Sequence, residues 1–271
     1  IFVKSLFVPE GKAFEASMGK YIRALQQIGG EEWTTATQND SIPIIYFITT
    51  GGTEQELLDI RELRNKTVGD EPVLIVAHPA HNSLPASLEV LARLQQEGAL
   101  GQVLYLNSSS DAVGLLKIQE VLIDFKVSSD LKRTRIGLIG TPSDWLVASS
   151  PDHSTIKETW GPDIVPVSLD EINRLIPEVA QEAIPTIRES LVEGATEVRE
   201  PSQTDLDNVV RVYLALKTII EKYELDALTV RCFDLVLGLE TTGCFGLSQL
   251  TDEGIIAGCE GDLVSTMGLL W

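Results

Sequence analysis

The sequence predicts an α/β fold of two doubly wound domains, each built around a mostly parallel sheet. Short apolar runs alternate with segments of helical periodicity along the chain, which is the pattern of β-α-β units. The alternation is interrupted at residues 126–134, which are polar and charged and lack an apolar period. A chain of 271 residues is long enough to bury two cores. We therefore expect a first domain at 1–130 and a second at 131–271.

The first domain is predicted to alternate strands and helices from its first residues. Phe14, Met18 and Leu25 are spaced as on one face of a helix, and Gly29-Gly30 ends that segment. The other segments are assigned in the same way. Strands are expected at 2–8, 42–49, 73–78 and 103–106, and helices at 14–28, 55–65, 84–97 and 111–125.

The second domain is predicted to continue this alternation. Pro162 and Pro166 favour an edge position for the strand that they accompany, because proline cannot donate to a ladder. Ser168 or Asp170 is expected to cap a helix that extends through Leu175. Strands are expected at 135–140, 163–167, 227–232 and 255–259, and further helices at 205–223, 243–251 and 263–270.

Composition and charge exclude several classes of partner. The net charge of −19 disfavours nucleic acid, whose phosphates need a basic surface, and it repels anionic membranes. The composition, with 44% hydrophobic and 23% charged residues, is that of a folded globular protein. Neither a membrane span nor a signal peptide is expected.

Three cysteines and the two chain ends complete this general description. Cys232, Cys244 and Cys259 lack C-x-x-C spacing, which favours free thiols and a cytoplasmic location. The chain begins at Ile1 and stops at Trp271 in an apolar helical pattern without a cap. We therefore expect it to be part of a longer protein.

A glycine-rich turn follows the second predicted strand. Thr50, Gly51, Gly52 and Thr53 lie between this strand and a helix, where exposed N–H groups favour a polar or anionic ligand. The turn lacks the complete nucleotide-binding motifs. It is either a tight connection with Thr53 as the N-cap or a set of contacts to a polar ligand.

A second polar loop follows the third predicted strand. Asn82 and Ser83 are either the cap of the next helix or contacts to a hydroxyl-rich ligand. His78 and His81 are three residues apart, but Pro79 makes the segment a loop, which disfavours a metal site of helical spacing.

Four carboxylates lie beyond two predicted strands of the second domain. They are Asp234, Glu240, Glu260 and Asp262. The helix between these strands would make them parallel neighbours, so the acidic side chains would share one sheet edge. Clustered carboxylates repel each other, and a divalent cation relieves this repulsion. The alternative is structural: Asp262 caps the last helix, and Asp234 is a turn residue.

Several motifs, taken in order, resemble the L-fucose isomerase-like family of sugar isomerases. They are Thr50-Gly51-Gly52-Thr53-Glu54, residues 78–86, Arg231-Cys232-Phe233, Thr241-Thr242-Gly243-Cys244 and Cys259-Glu260-Gly261-Asp262. The resemblance implies two α/β domains, followed in the family by a β-rich C-terminal domain. It also implies aldose–ketose isomerisation of a small sugar, a site for Mn²⁺ or another divalent cation held by Glu, Asp and His, and a homo-oligomer.

The resemblance assigns the candidate site as follows. Asp262 matches the Asp of the family's E-x-D turn, and Glu240 is the carboxylate nearest to its metal-binding Glu. These two would face the metal and exchange the proton of an ene-diol intermediate, whereas Glu260 is a further metal candidate with a supporting position. The family's histidine belongs to the C-terminal domain, and no histidine here matches it. The alternative function is a non-catalytic sugar-binding module with its ligand in a cleft between the domains.

Overall fold

The computed structural model describes residues 2–3, 12–31 and 43–271, with side chains described from residue 16 onward within these ranges. The chain divides into two compact units, Ile1–Asp130 and Leu131–Trp271. Each unit contains a four-stranded sheet, and all the described strand pairs are parallel. Helices flank both sheets, so the predicted class of two doubly wound α/β domains is confirmed.

The first unit has the strand order β1-β2-β3-β4. Its strands are β1 (Phe2–Val3), β2 (Ile45–Ile48), β3 (Val73–Ala77) and β4 (Gly101–Tyr105), and its helices are α1 (Lys12–Gln27), α2 (Glu54–Val68), α3 (Ser83–Gln96) and α4 (Ala112–Arg133). Strand β3 is buried along its whole length. Val73 and Ile75 pack into one cluster with α2 and α3, and Leu74 and Val76 pack into another with α1 and α4. Alternate residues of one strand therefore build two cores, as helices on both faces require.

The second unit has the strand order β6-β5-β7-β8. Its strands are β5 (Arg135–Ile139), β6 (Asp163–Val167), β7 (Ala227–Val230) and β8 (Ile256–Cys259). The chain moves from β5 to one side and returns to the other side at β7. The carboxyl ends of β5 and β7 therefore flank the point where the strand order reverses, which is where open α/β sheets bind ligands.

Helices cover both faces of the second sheet. They are α5 (His153–Thr159), α6 (Leu169–Leu175), α7 (Ala183–Glu193), α8 (Gln203–Tyr223), α9 (Cys232–Leu239), α10 (Cys244–Asp252) and α11 (Leu263–Leu270), with a 3-10 turn at Ile176–Glu178. Leu228 and Val230 pack with α8 and α10 in one cluster. Thr229 points the other way, towards the α11 side, where a side chain at Gly258 would meet Thr266 and Thr229.

Local signals in the second unit are confirmed. Strand β6 is an edge strand, which explains why it tolerates Pro166. Ser168 caps α6, since its hydroxyl accepts from the Asp170 amide. None of the helices within the described residues is long and apolar enough to cross a bilayer.

The helix expected at 111–125 does not end at residue 125. Helix α4 continues into the polar segment 126–134 and ends at Arg133, although the division between the units falls within its last turn. An ion pair of 2.7 Å between Lys126 and Asp130, one helical turn apart, supports the continuation. A polar helical segment without apolar periodicity therefore resembles a linker in sequence.

Two other expectations require comment. Residues 4–8 of the first predicted strand lie outside the described residues, which include only Phe2–Val3 as β1. The strand expected at 227–232 ends at Val230, and α9 begins at once. Asp234 therefore lies in the first turn of a helix, and the alternative that made it a turn residue is wrong.

Candidate functional site

The loops after β2 and β3 are tied together at the carboxyl edge of the first sheet. His78 is buried, and its Nε2 lies 3.0 Å from the Thr49 carbonyl oxygen, while its Nδ1 accepts from the Ala80 amide at 3.3 Å. Burial lowers the pKa of His78; the hydrogen bond with Thr49 opposes this shift in part, and the neighbouring His81 adds a smaller lowering. The ring is therefore neutral, with its proton on Nε2.

The predicted turn at residues 50–53 is part of this connection. The amide of Gly51 donates to the His81 carbonyl at 2.8 Å, and a β-carbon at Gly51 would lie 2.9 Å from that of Asn82. Thr53 occupies the N-cap position of α2, but its hydroxyl donates to the Thr50 carbonyl rather than capping the helix. Thr50 is buried, whereas Gly52 lies at the surface with a positive φ of 79°.

The structure separates the two predicted ligand residues of the next loop. Ser83 is fully buried, and its hydroxyl accepts from the His78 amide and donates to the Ile48 carbonyl. Asn82 is exposed in the left-handed region, with a φ of 55°, and its side chain does not cap α3. Ser83 therefore joins two strands, and the Asn82 side chain faces solvent.

Arg231, directly after β7, joins the loops after β5 and β7 at the switch point of the second sheet. Its Nη1 donates to the Thr141 hydroxyl at 3.0 Å, the Pro142 carbonyl at 2.7 Å and Asp144 at 3.3 Å. Its Nε donates to Asp234 at 3.0 Å. The hydrogen bonds that Arg231 donates to Asp144 and Asp234 raise the pKa of its guanidinium. The guanidinium of Arg231 thus ties the loop after β5 to the first turn of α9 and holds one carboxylate of each, Asp144 and Asp234.

The loop after β8 joins the same cluster. The Glu260 carbonyl accepts from the Ser143 amide at 2.8 Å, and the Glu260 carboxylate accepts from Trp145 Nε1 at 2.6 Å. Glu260 and Gly261 both have positive φ, at 62° and 69°. A β-carbon at Gly261 would lie 2.7 Å from the Thr141 carbonyl oxygen, so this close approach requires glycine.

Two aromatic rings border this polar cluster. Trp145 and Phe233 meet almost perpendicularly, with ring centroids 5.2 Å apart and an interplanar angle of 87°. Trp145 is 55% exposed and Phe233 is 48% exposed. The loops after β5, β7 and β8 therefore bring together apolar ring faces, one guanidinium and several carboxylates.

The predicted metal residues occupy three different settings. Asp262 caps α11, and its oxygens accept from the amide and the hydroxyl of Ser265 at 2.8 and 2.7 Å, so the predicted cap is present and the metal role stays a prediction. Glu260 bonds to Trp145. Glu240 lies at the far end of α9, exposed and in the left-handed region, about 12 Å along the helix from its start.

These residues do not form a metal centre as they stand. Within the described ranges, no group of three or more His, Cys, Asp or Glu side chains could hold an ion. Glu260 and Asp262 line a cavity of about 450 Å³ that Glu240 does not line. Their oxygens suit Mn²⁺ chemically, but two donors do not complete a site. The manganese site stays a prediction.

Two thiols line the same cavity, Cys244 and Cys259. Cys259 lies near the buried Cys232 and its pKa is raised, chiefly by burial. A raised pKa keeps the thiol protonated at neutral pH, which lowers its reactivity. The cysteines are free, as the sequence predicted.

Sequence reasoning missed the roles of Arg231 and Trp145. Arg231 follows an apolar strand directly, which is a recognisable signal for a residue at a carboxyl edge. Trp145 lies in a loop of Gly, Pro, Ser and Asp residues after β5, where a large aromatic side chain is unusual. The distance along the sequence conceals that Trp145 contacts Glu260.

No family model matches the chain, and a search of curated proteins gives no match. The resemblance to the L-fucose isomerase-like family therefore rests on the motifs quoted above.

Proposed function

We propose that the chain is the two-domain α/β part of a sugar isomerase of the L-fucose isomerase-like type, and that it contacts its sugar at the carboxyl edge of the second sheet. The observation that supports this most directly is the convergence of the loops after β5, β7 and β8 at the switch point, with Arg231, Asp234, Glu260 and Trp145. Planar polar side chains beside exposed aromatic rings suit a ligand with a hydroxyl edge and an apolar face.

Aldose–ketose isomerisation moves a proton between two adjacent carbons through an ene-diol. It requires one group that removes a proton and another that returns it. In the proposal Asp262 takes part in this exchange and Arg231 orients hydroxyl groups of the sugar, whereas Glu240, at the far end of α9, does not line the cavity of Asp262. A bound divalent cation would supply electrostatic stabilisation of the ene-diolate. Asp262 already accepts two hydrogen bonds, and a carboxylate offers about four acceptor positions, so it retains capacity for a ligand.

The test is ketose formation from a panel of neutral aldopentoses and 6-deoxyaldohexoses, with and without Mn²⁺. The protein should be assayed at the full length of its reading frame. We expect activity that falls at least about 100-fold in Asp262→Asn, a change that preserves the cap because Asn is also a good N-cap. Glu158→Gln, an exposed carboxylate on α5, is the matched control and should retain activity. An active Asp262→Asn enzyme would contradict the proposed site.

A second candidate is a non-catalytic sugar-binding module. It is favoured by the cap bonds of Asp262 and by the absence, among the described residues, of a three-ligand metal group. Sugar binding that needs no metal, together with no turnover of any sugar in the panel, would decide for this candidate. Calorimetric titration of the same sugars provides that measurement.

A further inference from the structure

We propose that Trp145 and Phe233 form a stacking platform for the apolar C–H face of a sugar, and that Glu260 is the positioning residue that holds the indole. The inference rests on the proposed function for the class of ligand, but it does not depend on isomerisation. It gives Glu260 a role other than that of a metal ligand.

The first step is the exposure of the two rings. About half of the surface of each residue remains exposed, although the rings contact each other. The two nearly perpendicular rings therefore leave apolar surface of both residues accessible to a ligand. Covering such faces removes a large apolar area from water, and indole contributes more than any other side chain of this kind.

The second step is the fixed orientation of the indole. Its N–H donates to the Glu260 carboxylate, and two residues earlier the Ser143 amide donates to the Glu260 carbonyl. One residue of the β8 loop therefore holds the β5 loop through both its backbone and its side chain. A ring held in this way loses little conformational entropy when a ligand stacks on it.

The third step is the set of polar groups beside the platform. Within the described part of the chain, the hydrogen bonds of Arg231 use Nε and Nη1, so Nη2 remains for a ligand. Asp234 and Glu260 each use one carboxylate oxygen in these contacts. A donor and two acceptors on planar groups match the vicinal hydroxyls of a sugar.

The net charge of the side chains beside the two rings narrows the class of sugar further. Arg231 forms ion pairs with Asp144 and Asp234, and the Glu260 carboxylate, held by Trp145, adds a third negative charge, so the cluster is negative. A neutral sugar is therefore favoured over a sugar phosphate or a uronic acid, because like charges repel. The mixture of rings and charges also distinguishes the platform from an apolar docking face for a protein.

The experiment is calorimetric titration of the full-length protein with each neutral sugar of the panel. Trp145→Ala should weaken the affinity about tenfold, and Trp145→Phe only about twofold to threefold, since it retains a ring. Trp160→Ala is the matched control. Trp160 is 48% exposed and meets Trp271 almost perpendicularly at 5.5 Å, but it precedes β6 and so belongs to the opposite edge of the same sheet. Its loss should leave the affinity unchanged.

Two variants test the positioning role of Glu260. Glu260→Gln retains an acceptor for the indole N–H and should therefore bind the sugar more tightly than Glu260→Ala, which should lose at least as much affinity as Trp145→Phe. Indole fluorescence anisotropy should fall in Glu260→Ala and recover in Glu260→Gln. Unchanged sugar affinity and unchanged indole anisotropy in Glu260→Ala would overturn the positioning role, and lost Mn²⁺ affinity in the same variant would assign Glu260 to the metal instead.

The outcomes separate the platform from the proposed function. Sugar binding that is unchanged in Trp145→Ala overturns the platform and leaves the isomerase proposal standing. Binding that depends on Trp145 without turnover supports the platform and overturns the isomerase. A protein that binds no sugar, or that only self-associates through Trp145, overturns the platform. Circular dichroism of each variant verifies that it is folded.

Discussion

The carboxyl edges of the two sheets use similar loops for different purposes. At the first edge His78, Ser83 and Gly51 direct their polar groups into the protein, and the loops after β2 and β3 hold each other. At the second edge Arg231 and Glu260 join the neighbouring loops by hydrogen bonds. Polar atoms of this cluster and the rings of Trp145 and Phe233 still remain exposed to solvent. A parallel sheet therefore supplies the place for a site, but the side chains decide whether that place is closed by the protein or open to a ligand.

The largest expected effect concerns the closest backbone approach at the second edge. Gly261→Ala should destabilise the protein by about 3 kcal/mol, because it combines a left-handed backbone with a contact to the Thr141 carbonyl. The measurement is urea unfolding at neutral pH. Gly238→Ala on α9, where a new β-carbon meets nothing within 4 Å, should be neutral or stabilise by roughly 0.5–1 kcal/mol. Equal effects of the two variants would show that the loops after β5 and β8 are not tied as described.

The next effect tests whether the first edge is closed by its own hydrogen bonds. Ser83→Ala should cost about 2 kcal/mol, because the amide of His78 and the carbonyl of Ile48 lose a buried partner. Sugar affinity should be unchanged in the folded protein. Ser110→Ala, in an exposed loop of the same unit, is the control in the same unfolding assay. A stable Ser83→Ala protein with weaker sugar binding would reverse the comparison between the two edges.

The buried histidine of the first edge predicts a dependence of stability on pH. Burial lowers the pKa of His78 in the folded state, so the unfolded chain binds more protons below its ordinary pKa of about 6.5. The stability that the buried neutral His78 contributes is therefore fully present above a pH of about 6.5 and is lost as the pH falls below it. His78→Gln should reduce the loss of stability between pH 7.5 and 5.5, chosen as roughly one unit on either side of that pKa. His153→Gln, on α5, should retain the loss that the unaltered protein shows.

The smallest effect is expected at Asn82. Its side chain is exposed and does not cap α3, and its φ of 55° is one that glycine adopts readily. Asn82→Gly should therefore change the free energy of unfolding by less than about 0.5 kcal/mol. The same variant measures the sequence-predicted contact with a sugar. Weaker sugar binding in a protein of unchanged stability would show that the first edge also contacts the sugar.

Several features were predictable because they depend on local chemistry. Pro166 marks an edge strand because it lacks a donor, and Ser168 and Asp262 cap helices because their oxygens reach nearby amides. Strands β7 and β8 were expected to be parallel neighbours, and they pair in register from Ala227 to Val230. The polar segment 126–134 was not recognised as helical, because helical propensity and an ion pair stabilise the helix there in place of apolar periodicity.

The choice of carboxylates could not be made from sequence. Glu240 is closer in sequence to the expected position, but α9 carries it away from the sheet edge, whereas Asp234 remains within the first turn beside Arg231. The contact of Trp145 with Glu260 spans 115 positions. Such a pair leaves no periodic or capping signal in either segment.

The sequence by itself determined the class of the fold, the positions of most strands and the edges at which polar loops lie. These properties follow from apolar periodicity, proline and caps, which act over a few residues. The tertiary structure alone decided which loops meet, because strand order sets the neighbours of each loop. Ser83 and His78 are buried by the contacts between loops at the first edge. At the second edge Trp145 and Phe233 stay exposed, and Arg231 retains a donor for a ligand. Side chains far apart in sequence can contribute to one site only when the sheet brings their strands together.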